Sequence, residues 1–139
     1  ITTLEFGEHV AGFETAETPP GCLLIAREEP HPEAFGVAVL NDDGEICDIV
    51  EKPKQPPSNL AIGGIYMFDE TFWNRLDAAV EARQAAFSIS DITKAYVTEG
   101  RADVLSVGER TWVECGPPDS LLHASIMAKD GKLNPTPHR

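Results

Sequence analysis

Residues 36–53 have the sequence GVAVLNDDGEICDIVEKP, and they give the clearest indication of the fold. Two short, mostly apolar runs, residues 36–40 and 46–50, precede and follow a polar turn that contains Gly44. Apolar runs of strand length around such a segment predict a β-hairpin, in which Gly44 can take the positive φ of the turn. The hairpin leads straight into Glu51-Lys52-Pro53, so we expect these residues at the end of a strand.

The segments around this hairpin mix strands with helices. Residues 22–26 form a continuous apolar run, which suits a strand buried on both faces, and its charged end at Arg27 should emerge near a site. The remaining patterns predict strands at residues 60–68, 102–107 and 111–114, and helices at residues 70–86, 90–99 and 119–129. This order indicates an α/β fold in which the hairpin contributes antiparallel pairing, and the tail at residues 133–139 should be frayed.

The composition excludes several classes of protein. With 139 residues the chain is one domain or part of one, and its charge of −12, from 23 acidic and 11 basic residues, disfavours nucleic acid as a partner. No apolar run approaches the ~20 residues that span a bilayer, and the N-terminus lacks the features of a signal peptide. We therefore predict a cytoplasmic protein without a membrane partner. The chain does not begin with Met, so we expect its true start to be missing or processed.

Cysteine and histidine patterns give no support for a disulfide framework or a zinc site. The three cysteines, Cys22, Cys47 and Cys115, are scattered and without CxxC spacing. The four histidines show no paired spacing on a helix face. We expect reduced thiols.

Glu51-Lys52-Pro53 carries the densest chemical signal. Pro53 ends the strand's hydrogen bonding, which allows the carboxylate and the ammonium to face a cleft, and a lysine suits a phosphate. The alternative is a solvated charge pair. Gly63-Gly64 inside an apolar strand suggests a bulge or a ligand against the backbone, with close helix packing as the alternative. Phe35-Gly36 offers a similar choice between bare backbone near a ligand and a simple strand entry.

Single carboxylates are the other candidates. Glu114 lies between an apolar segment and a Gly-Pro-Pro loop, where it could bind an oxygen-loving cation such as magnesium, although one carboxylate is not a site. Asp91 and Asp119 are interpreted as helix-start residues that interact with the helix dipole.

Six segments together resemble the C-terminal portion of glucose-1-phosphate thymidylyltransferases and related sugar-1-phosphate nucleotidyltransferases. In order they are Phe35-Gly36-Val37, Asp43-Gly44, Val50-Glu51-Lys52-Pro53, Ala61-Ile62-Gly63-Gly64-Ile65-Tyr66, residues 89–96, and Trp112-Val113-Glu114-Cys115-Gly116 leading to residues 119–122. The resemblance covers about residues 21–125. It implies part of a Rossmann-like mixed sheet flanked by helices, with residues 1–132 as the sugar-phosphate-binding C-terminal portion of the domain and residues 133–139 as a tail.

The resemblance also implies a reaction and its site. In that family the phosphate oxygen of a sugar 1-phosphate attacks the α-phosphorus of a nucleoside triphosphate, and pyrophosphate leaves with magnesium assisting. Positioning and charge neutralisation carry such a transfer. Lys52 would contact the sugar phosphate and Glu51 the sugar hydroxyls. Gly36 and Ile62-Gly63 would offer backbone groups to the sugar, and Glu114 would occupy a metal-binding position.

The chain departs from the family pattern in four places. The Gly-rich nucleotide loop and the first metal-binding aspartate are absent, although Thr3-Leu4-Glu5-Phe6 resembles the surroundings of that aspartate. Ala85-Ala86 replaces a Gly-Glu pair, and Glu114 replaces an aspartate. By resemblance, then, the chain alone should not catalyse the transfer, and a separate N-terminal half or a homo-oligomer is a possible partner.

Three hypotheses remain open from the sequence. The chain is the C-terminal part of a working nucleotidyltransferase, or a non-catalytic sugar-phosphate or sugar-nucleotide binding module that regulates a partner. The third is a truncated domain that associates with itself through open sheet edges and an apolar face. The sequence does not specify the sugar, the nucleotide base or the oligomeric state.

Overall fold

A computed structural model of the chain describes residues 6–15, 20–81, 88–108, 111–113 and 115–133. The strands in this part of the chain are β1 (Cys22–Glu28), β2 (Gly36–Leu40), β3 (Ile46–Glu51), β4 (Leu60–Phe68) and β5 (Ala102–Ser106). The helices are α1 (Phe6–Thr15), α2 (Thr71–Glu81), α3 (Ile89–Thr98) and α4 (Pro118–Lys129), with a 3-10 turn at Pro32–Ala34.

The five strands form one mixed sheet in the order β3-β2-β4-β1-β5. Strands β1 and β5 are parallel, whereas β1 and β4, β2 and β4, and β2 and β3 pair antiparallel. The predicted α/β fold with an antiparallel hairpin is confirmed.

The hairpin turn between β2 and β3 is built by Asn41. Its side-chain Oδ1 accepts hydrogen bonds from the backbone N–H groups of Asp43 at 3.1 Å and Glu45 at 2.8 Å. Gly44 has φ +83°, a conformation that costs glycine little. The predicted role of Gly44 is therefore confirmed.

Burial explains why β1 is a central strand. Leu24, Ile25 and Ala26 are fully buried, as the continuous apolar run predicts. On one face, β1 and β4 pack against Ile92 and Tyr96 of α3 and against apolar residues of α2. On the other face, Ile25 forms a small cluster with residues that include Val107 and Trp112.

Helix α3 begins earlier than expected. Its N-cap is Ser88 and its first residue is Ile89, rather than a start at Ser90-Asp91. Asp91 accepts a 2.8 Å hydrogen bond from the backbone N–H of Ser88, so its carboxylate caps the helix start. The interpretation of Asp91 as a helix-start residue is confirmed, and Gly100, with φ +67°, follows the end of the helix as predicted.

Other predictions needed correction or fall outside the described residues. Of the expected strand at residues 111–114, the structure describes residues 111–113, and among these Trp112 alone makes a strand-like bridge, with its indole packed on Gly63. Residues 82–86 of the helix expected at residues 70–86 lie outside the described residues. Leu133, at the start of the expected tail, is buried against Val113 and Ala124.

Helix α1 was not predicted from the sequence. The spacing of Phe6, Val10 and Phe13 at i, i+4 and i+7 is the signal that could have found it. Among the described residues, no helix is both long enough and apolar enough to cross a membrane.

Candidate functional site

The candidate residues meet at the end of the sheet where the parallel strands β1 and β5 finish. In the strand pairing, Gly36 is opposite Glu51, Val37 is opposite Ala61, and Ala61 is also opposite Arg27. One row across four strands therefore brings together the start of β2, the end of β3 and the charged end of β1. In open α/β sheets, ligands bind beyond the carboxyl ends of the parallel strands.

Gly36, Glu51 and Ile62 lie in direct proximity. A Cβ atom added to Gly36 would lie 3.2 Å from Glu51 Oε2 and 3.6 Å from Ile62 Cδ1. A side chain at position 36 would therefore crowd the carboxylate. The glycine leaves room beside Glu51, and this is the arrangement that a backbone contact with a ligand needs.

The Glu51 carboxylate is oriented by α3. The hydroxyl of Ser90 donates a 2.9 Å hydrogen bond to Glu51 Oε2. Burial is the main factor that raises the pKa of the Tyr66 phenol, and the negative charge of Glu51 raises it further. Tyr66 therefore stays protonated well into the alkaline range, as a neutral hydrogen-bonding group near this carboxylate.

Lys52 has a strained backbone and an exposed ammonium. Its φ of 44° is the one positive value found for a non-glycine residue in the described ranges. The conformation is held by a 2.9 Å hydrogen bond from its N–H to the carbonyl oxygen of Phe35 and by the buried Pro53 that follows. Its side chain is 67 % exposed, and Nζ lies 3.9 Å from Glu51 Oε1. Such strain in a lysine at a strand end is a feature of functional sites.

The predicted bulge at Gly63-Gly64 is present. The register between β1 and β4 shifts here, since Leu24 faces Tyr66 but Ala26 faces Ile62. Gly64 has φ +72°. A Cβ on Gly63 would lie 2.3 Å from Trp112 Cζ2, so the indole rather than a helix packs on this glycine.

A cleft of about 350 Å³ lies between this bulge and Trp112. Its walls are the aromatic residues Phe35 and Trp112, the aliphatic and glycine residues of β4, and Arg27. The Arg27 guanidinium lies 5.2 Å from the Phe35 ring centroid, and Nη2 forms a 2.7 Å ion pair with Glu29. The cleft therefore combines apolar walls with a fixed cation.

Glu114, the predicted metal ligand, lies outside the described residues. Its neighbours on both sides, Val113 and Cys115, line the cleft. The described residues contain no group of three or more histidine, cysteine or acidic side chains that could hold a metal ion.

The sequence predicts Glu51, Lys52, Gly36, Ile62 and Gly63 as site residues, and all five lie at this end of the sheet. It missed the contact of Ser90 with Glu51, because Ser90 was assigned to the helix start. It also did not foresee that Trp112 covers Gly63. Neither contact has a local signal, since each joins residues at least 39 positions apart in the chain.

Comparisons with known proteins find relatives of one family. A family model described as "Nucleotidyl transferase" matches residues 1–131. The low-salt glycan biosynthesis nucleotidyltransferase Agl11 of Haloferax volcanii is 28% identical over 123 residues, which are 88% of this chain and 34% of that protein. A glucose-1-phosphate thymidylyltransferase of Mycolicibacterium smegmatis is 30% identical over 133 residues, or 95% of this chain and 43% of that protein.

A solved structure gives the same result. A crystal structure of a candidate glucose-1-phosphate thymidylyltransferase from Bacillus anthracis, in complex with sucrose, matches with a TM-score of 0.83 and 27% identity. The match covers 94% of this chain and 51% of the other. The chain thus spans less than half the length of these two curated relatives and about half of the solved chain. The family match over residues 1–131, together with the shared fold, shows that the chain belongs to the nucleotidyl transferase family.

Proposed function

We propose that this chain provides the sugar-phosphate-binding part of a sugar-1-phosphate nucleotidyltransferase. The complete enzyme joins a nucleoside triphosphate and a sugar 1-phosphate to give a nucleoside-diphosphate sugar and pyrophosphate. The observation that carries the proposal is the proximity of Gly36, Glu51 and Ile62 next to the exposed, strained Lys52.

Lys52 is suited to the phosphate of the sugar. Its ammonium is a compact charge on a flexible stem, and 67 % of the side chain is exposed. The pair with Glu51 at 3.9 Å is long and solvated, so little free energy is lost when a phosphate takes the ammonium. In the reaction, Lys52 would hold the phosphate whose oxygen attacks, with part of its negative charge neutralised.

Glu51 and the neighbouring backbone are suited to the sugar ring. An ionised carboxylate accepts hydrogen bonds, so Glu51 Oε1 can accept from sugar hydroxyls while Ser90 holds Oε2. Gly36 lies beside Glu51 and Ile62, and Ile62 and Gly63 line the cleft next to Trp112, so the backbone at both places offers further groups. These contacts would fix the ring so that the phosphate oxygen points toward the nucleotide.

Magnesium is proposed here only through Glu114. The described residues alone do not form a set of metal ligands, so further oxygen ligands would have to come from substrate phosphates or from other parts of the protein. When bound, magnesium would neutralise charge on the phosphates during the transfer. We also propose that the nucleotide is bound by an N-terminal half or by another copy of the chain, in a cytoplasmic enzyme.

Binding of a sugar phosphate tests the proposal directly. Glucose 1-phosphate is titrated calorimetrically into the wild-type chain, into Lys52→Ala and into Lys54→Ala. Loss of a charge-assisted contact should weaken binding to Lys52→Ala by about ten-fold or more. Lys54, exposed two residues later, provides the matched control and should leave the affinity unchanged. Equal affinities for wild type and Lys52→Ala would remove Lys52 from the site.

The alternative, a non-catalytic binding module, would use the same residues. An assay for pyrophosphate release distinguishes the two functions. The complete protein is supplied with nucleoside triphosphate, glucose 1-phosphate and magnesium, and an enzyme would release pyrophosphate. A binding module would bind the sugar phosphate and release none.

A further inference from the structure

The cleft beside the Gly63-Gly64 bulge contains a cation that the proposed function does not use. Arg27 is the one positively charged residue among the described residues that line this cleft. It also borders the neighbouring space between Trp112 and α4. In a chain with a net charge of −12, a guanidinium retained in an otherwise apolar cleft calls for an explanation.

The guanidinium is held in a fixed orientation. Nη2 is anchored to Glu29 Oε2 at 2.7 Å, and Glu29 Oε1 accepts a hydrogen bond of 3.3 Å from the backbone N–H of His31. The Phe35 ring supports the guanidinium from one side. The Arg27 and Glu29 side chains are only 18 % and 19 % exposed, so this is not a freely moving surface pair.

This anchoring leaves part of the guanidinium available. Arginine has five N–H donors in a planar fork, and Glu29 occupies donors on Nη2 only. Within the described part of the chain, Nε and Nη1 have no acceptor. A planar pair of donors in fixed orientation matches the geometry of a carboxylate or a phosphate.

We propose that Arg27 is a second anion-binding residue of this site, which binds a carboxylate or phosphate oxygen of the ligand at a point remote from Lys52. The inference rests on the proposed function, because the same cleft includes Ile62 and Gly63. Two sources of the anion fit this chemistry: a carboxylate on the sugar, as in a hexuronic acid 1-phosphate, or the phosphates of the nucleotide and of pyrophosphate.

The strand register and the ion pairs keep the two cations apart, since Lys52 Nζ lies 3.9 Å from Glu51 and Arg27 Nη2 lies 2.7 Å from Glu29. Val50, Val37, Ala61 and Arg27 form one row across β3, β2, β4 and β1. At about 4.8 Å per strand, the Cα atoms at the two ends of the row are roughly 14 Å apart. Lys52 lies just beyond Val50 in the chain. A single phosphate is too small to need both cations, so Arg27 would bind a second anionic group.

The experiment compares ligands with and without the second anion. The 139-residue chain and Arg27→Met are titrated calorimetrically with glucose 1-phosphate, glucuronic acid 1-phosphate and inorganic pyrophosphate. If the anion is a sugar carboxylate, wild type should prefer glucuronic acid 1-phosphate over glucose 1-phosphate by about ten-fold or more, and Arg27→Met should abolish the preference. If it is a phosphate, the substitution should weaken pyrophosphate binding by a similar factor.

Two further variants separate a binding role from a structural one. Arg27→Lys keeps the charge but loses the planar fork. Its affinity for whichever ligand depends on Arg27, glucuronic acid 1-phosphate or pyrophosphate, should be roughly three-fold or more weaker than that of the wild type. Glu29→Gln weakens the anchor and should reduce the preference while the chain stays folded. If Arg27→Met does not fold, Arg27→Lys takes its place in the comparison.

The outcomes distinguish this inference from the proposed function. If neither Arg27 variant changes the ratio of glucuronic acid 1-phosphate to glucose 1-phosphate affinity or the pyrophosphate affinity, the inference is overturned, even where Lys52→Ala weakens every sugar phosphate. If wild type binds no sugar 1-phosphate, the proposed function fails. An Arg27-dependent affinity for pyrophosphate would then still support anion binding by Arg27.

Discussion

The two ends of the sheet carry charged side chains in opposite arrangements. At the end where β4 finishes and β1 and β5 begin, Asp69 and Arg101 are paired with each other and with their neighbours. At the other end, Lys52 extends into solvent and part of the Arg27 guanidinium is unpaired within the described residues. Charges that satisfy one another stabilise the fold, whereas charges left with free hydrogen-bonding capacity are available to a ligand.

The paired end is a network centred on Asp69. Its Oδ1 accepts hydrogen bonds from the Thr71 backbone N–H at 3.0 Å, the Thr71 hydroxyl at 2.6 Å and the Tyr96 hydroxyl at 2.9 Å, and its Oδ2 pairs with Arg101. Arg75 lies 4.1 Å from the Tyr96 ring centroid and makes a two-point contact with Glu99. The network connects α2, α3 and the start of β5.

Asp69→Asn tests the paired end and has the largest expected effect. Burial alone would raise the pKa of Asp69, but the hydrogen bonds of Thr71 and Tyr96 and the charge of Arg101 lower it overall. The ionised carboxylate is therefore the stabilising form, and we expect the substitution to cost roughly 2–3 kcal/mol of unfolding free energy in urea denaturation.

The lowered pKa of Asp69 also determines how the stability of the wild type depends on pH. Because the folded-state pKa of Asp69 lies below the unfolded value of 3.8, its contribution is present above that pH and is lost as the pH falls below it. Asp42→Asn, in the exposed hairpin turn, is the control and should change stability little. If the two variants unfold at the same urea concentration, the distinction between the two ends loses its basis.

Gly63→Ala and Gly64→Ala test the other end of the sheet, which carries Lys52 and Arg27 and is called the open end below. An alanine Cβ at position 63 would meet the Trp112 indole at 2.3 Å, so the indole must move, at a cost of about 2 kcal/mol. At position 64 the Cβ meets no atom within 4 Å, and only the φ of +72° is unfavourable, which costs about 1 kcal/mol.

Only Gly63→Ala should also change the position of Trp112 in the cleft. Trp112 fluorescence, measured with Trp73→Phe in the background, should shift for Gly63→Ala and stay constant for Gly64→Ala. The opposite pattern would show that Trp112 does not pack on Gly63.

Much of this fold was predictable because its signals are local. The apolar runs of β1 to β5 and the turn at Gly44 depend on neighbouring residues, and all five strands occur within a residue or two of the predicted positions. One error arose where a tertiary contact replaced a local pattern. Trp112 is held by Gly63 on another strand. The start of α3 was misplaced for a local reason, since the capping contact between Ser88 and Asp91 puts the first helical residue at Ile89.

The candidate site was predictable only in part, for the same reason. Glu51 and Lys52 are adjacent in sequence at a strand end, so their pattern is visible. Ser90 comes from a helix 39 residues later, and its bond to Glu51 exists only after α3 packs on β3. No periodicity or turn rule reports such a contact.

The buried thiol of Cys22 makes the stability of the fold depend on pH in the alkaline range. Burial, with a smaller contribution from the charge of Asp69, raises the pKa of the Cys22 thiol from 9.0 to about 12. Between these values the unfolded chain has released the proton that the folded chain retains. Stability due to the neutral thiol is therefore full below pH 9 and declines by about 1.4 kcal/mol per pH unit above it.

The measurement is the slope of unfolding free energy against pH between 9 and 11 for wild type and Cys22→Ala. The pKa values of Tyr66 and Tyr96 are also raised, mainly by burial, so both proteins should lose stability in this range. The wild type should lose it more steeply. Parallel slopes would mean that Cys22 ionises as easily in the folded chain as in the unfolded one.

Lys52→Gly has the smallest expected effect on stability and tests the open end most directly. Glycine takes a φ of 44° without steric cost, and this relief of about 1–2 kcal/mol is partly offset by the entropy that glycine loses on folding. We expect stability to rise by up to about 1 kcal/mol, while the affinity for glucose 1-phosphate falls as in Lys52→Ala.

A gain in stability with a loss of binding would show that the strain at Lys52 is retained for the ligand. Lys54→Gly, at an exposed position without positive φ, should give neither effect. If Lys52→Gly instead destabilises the chain and binds as well as wild type, then Lys52 is held by its surroundings for the fold. The two ends of the sheet would then differ only in how exposed their charges are, because the residues at both ends would stabilise the fold.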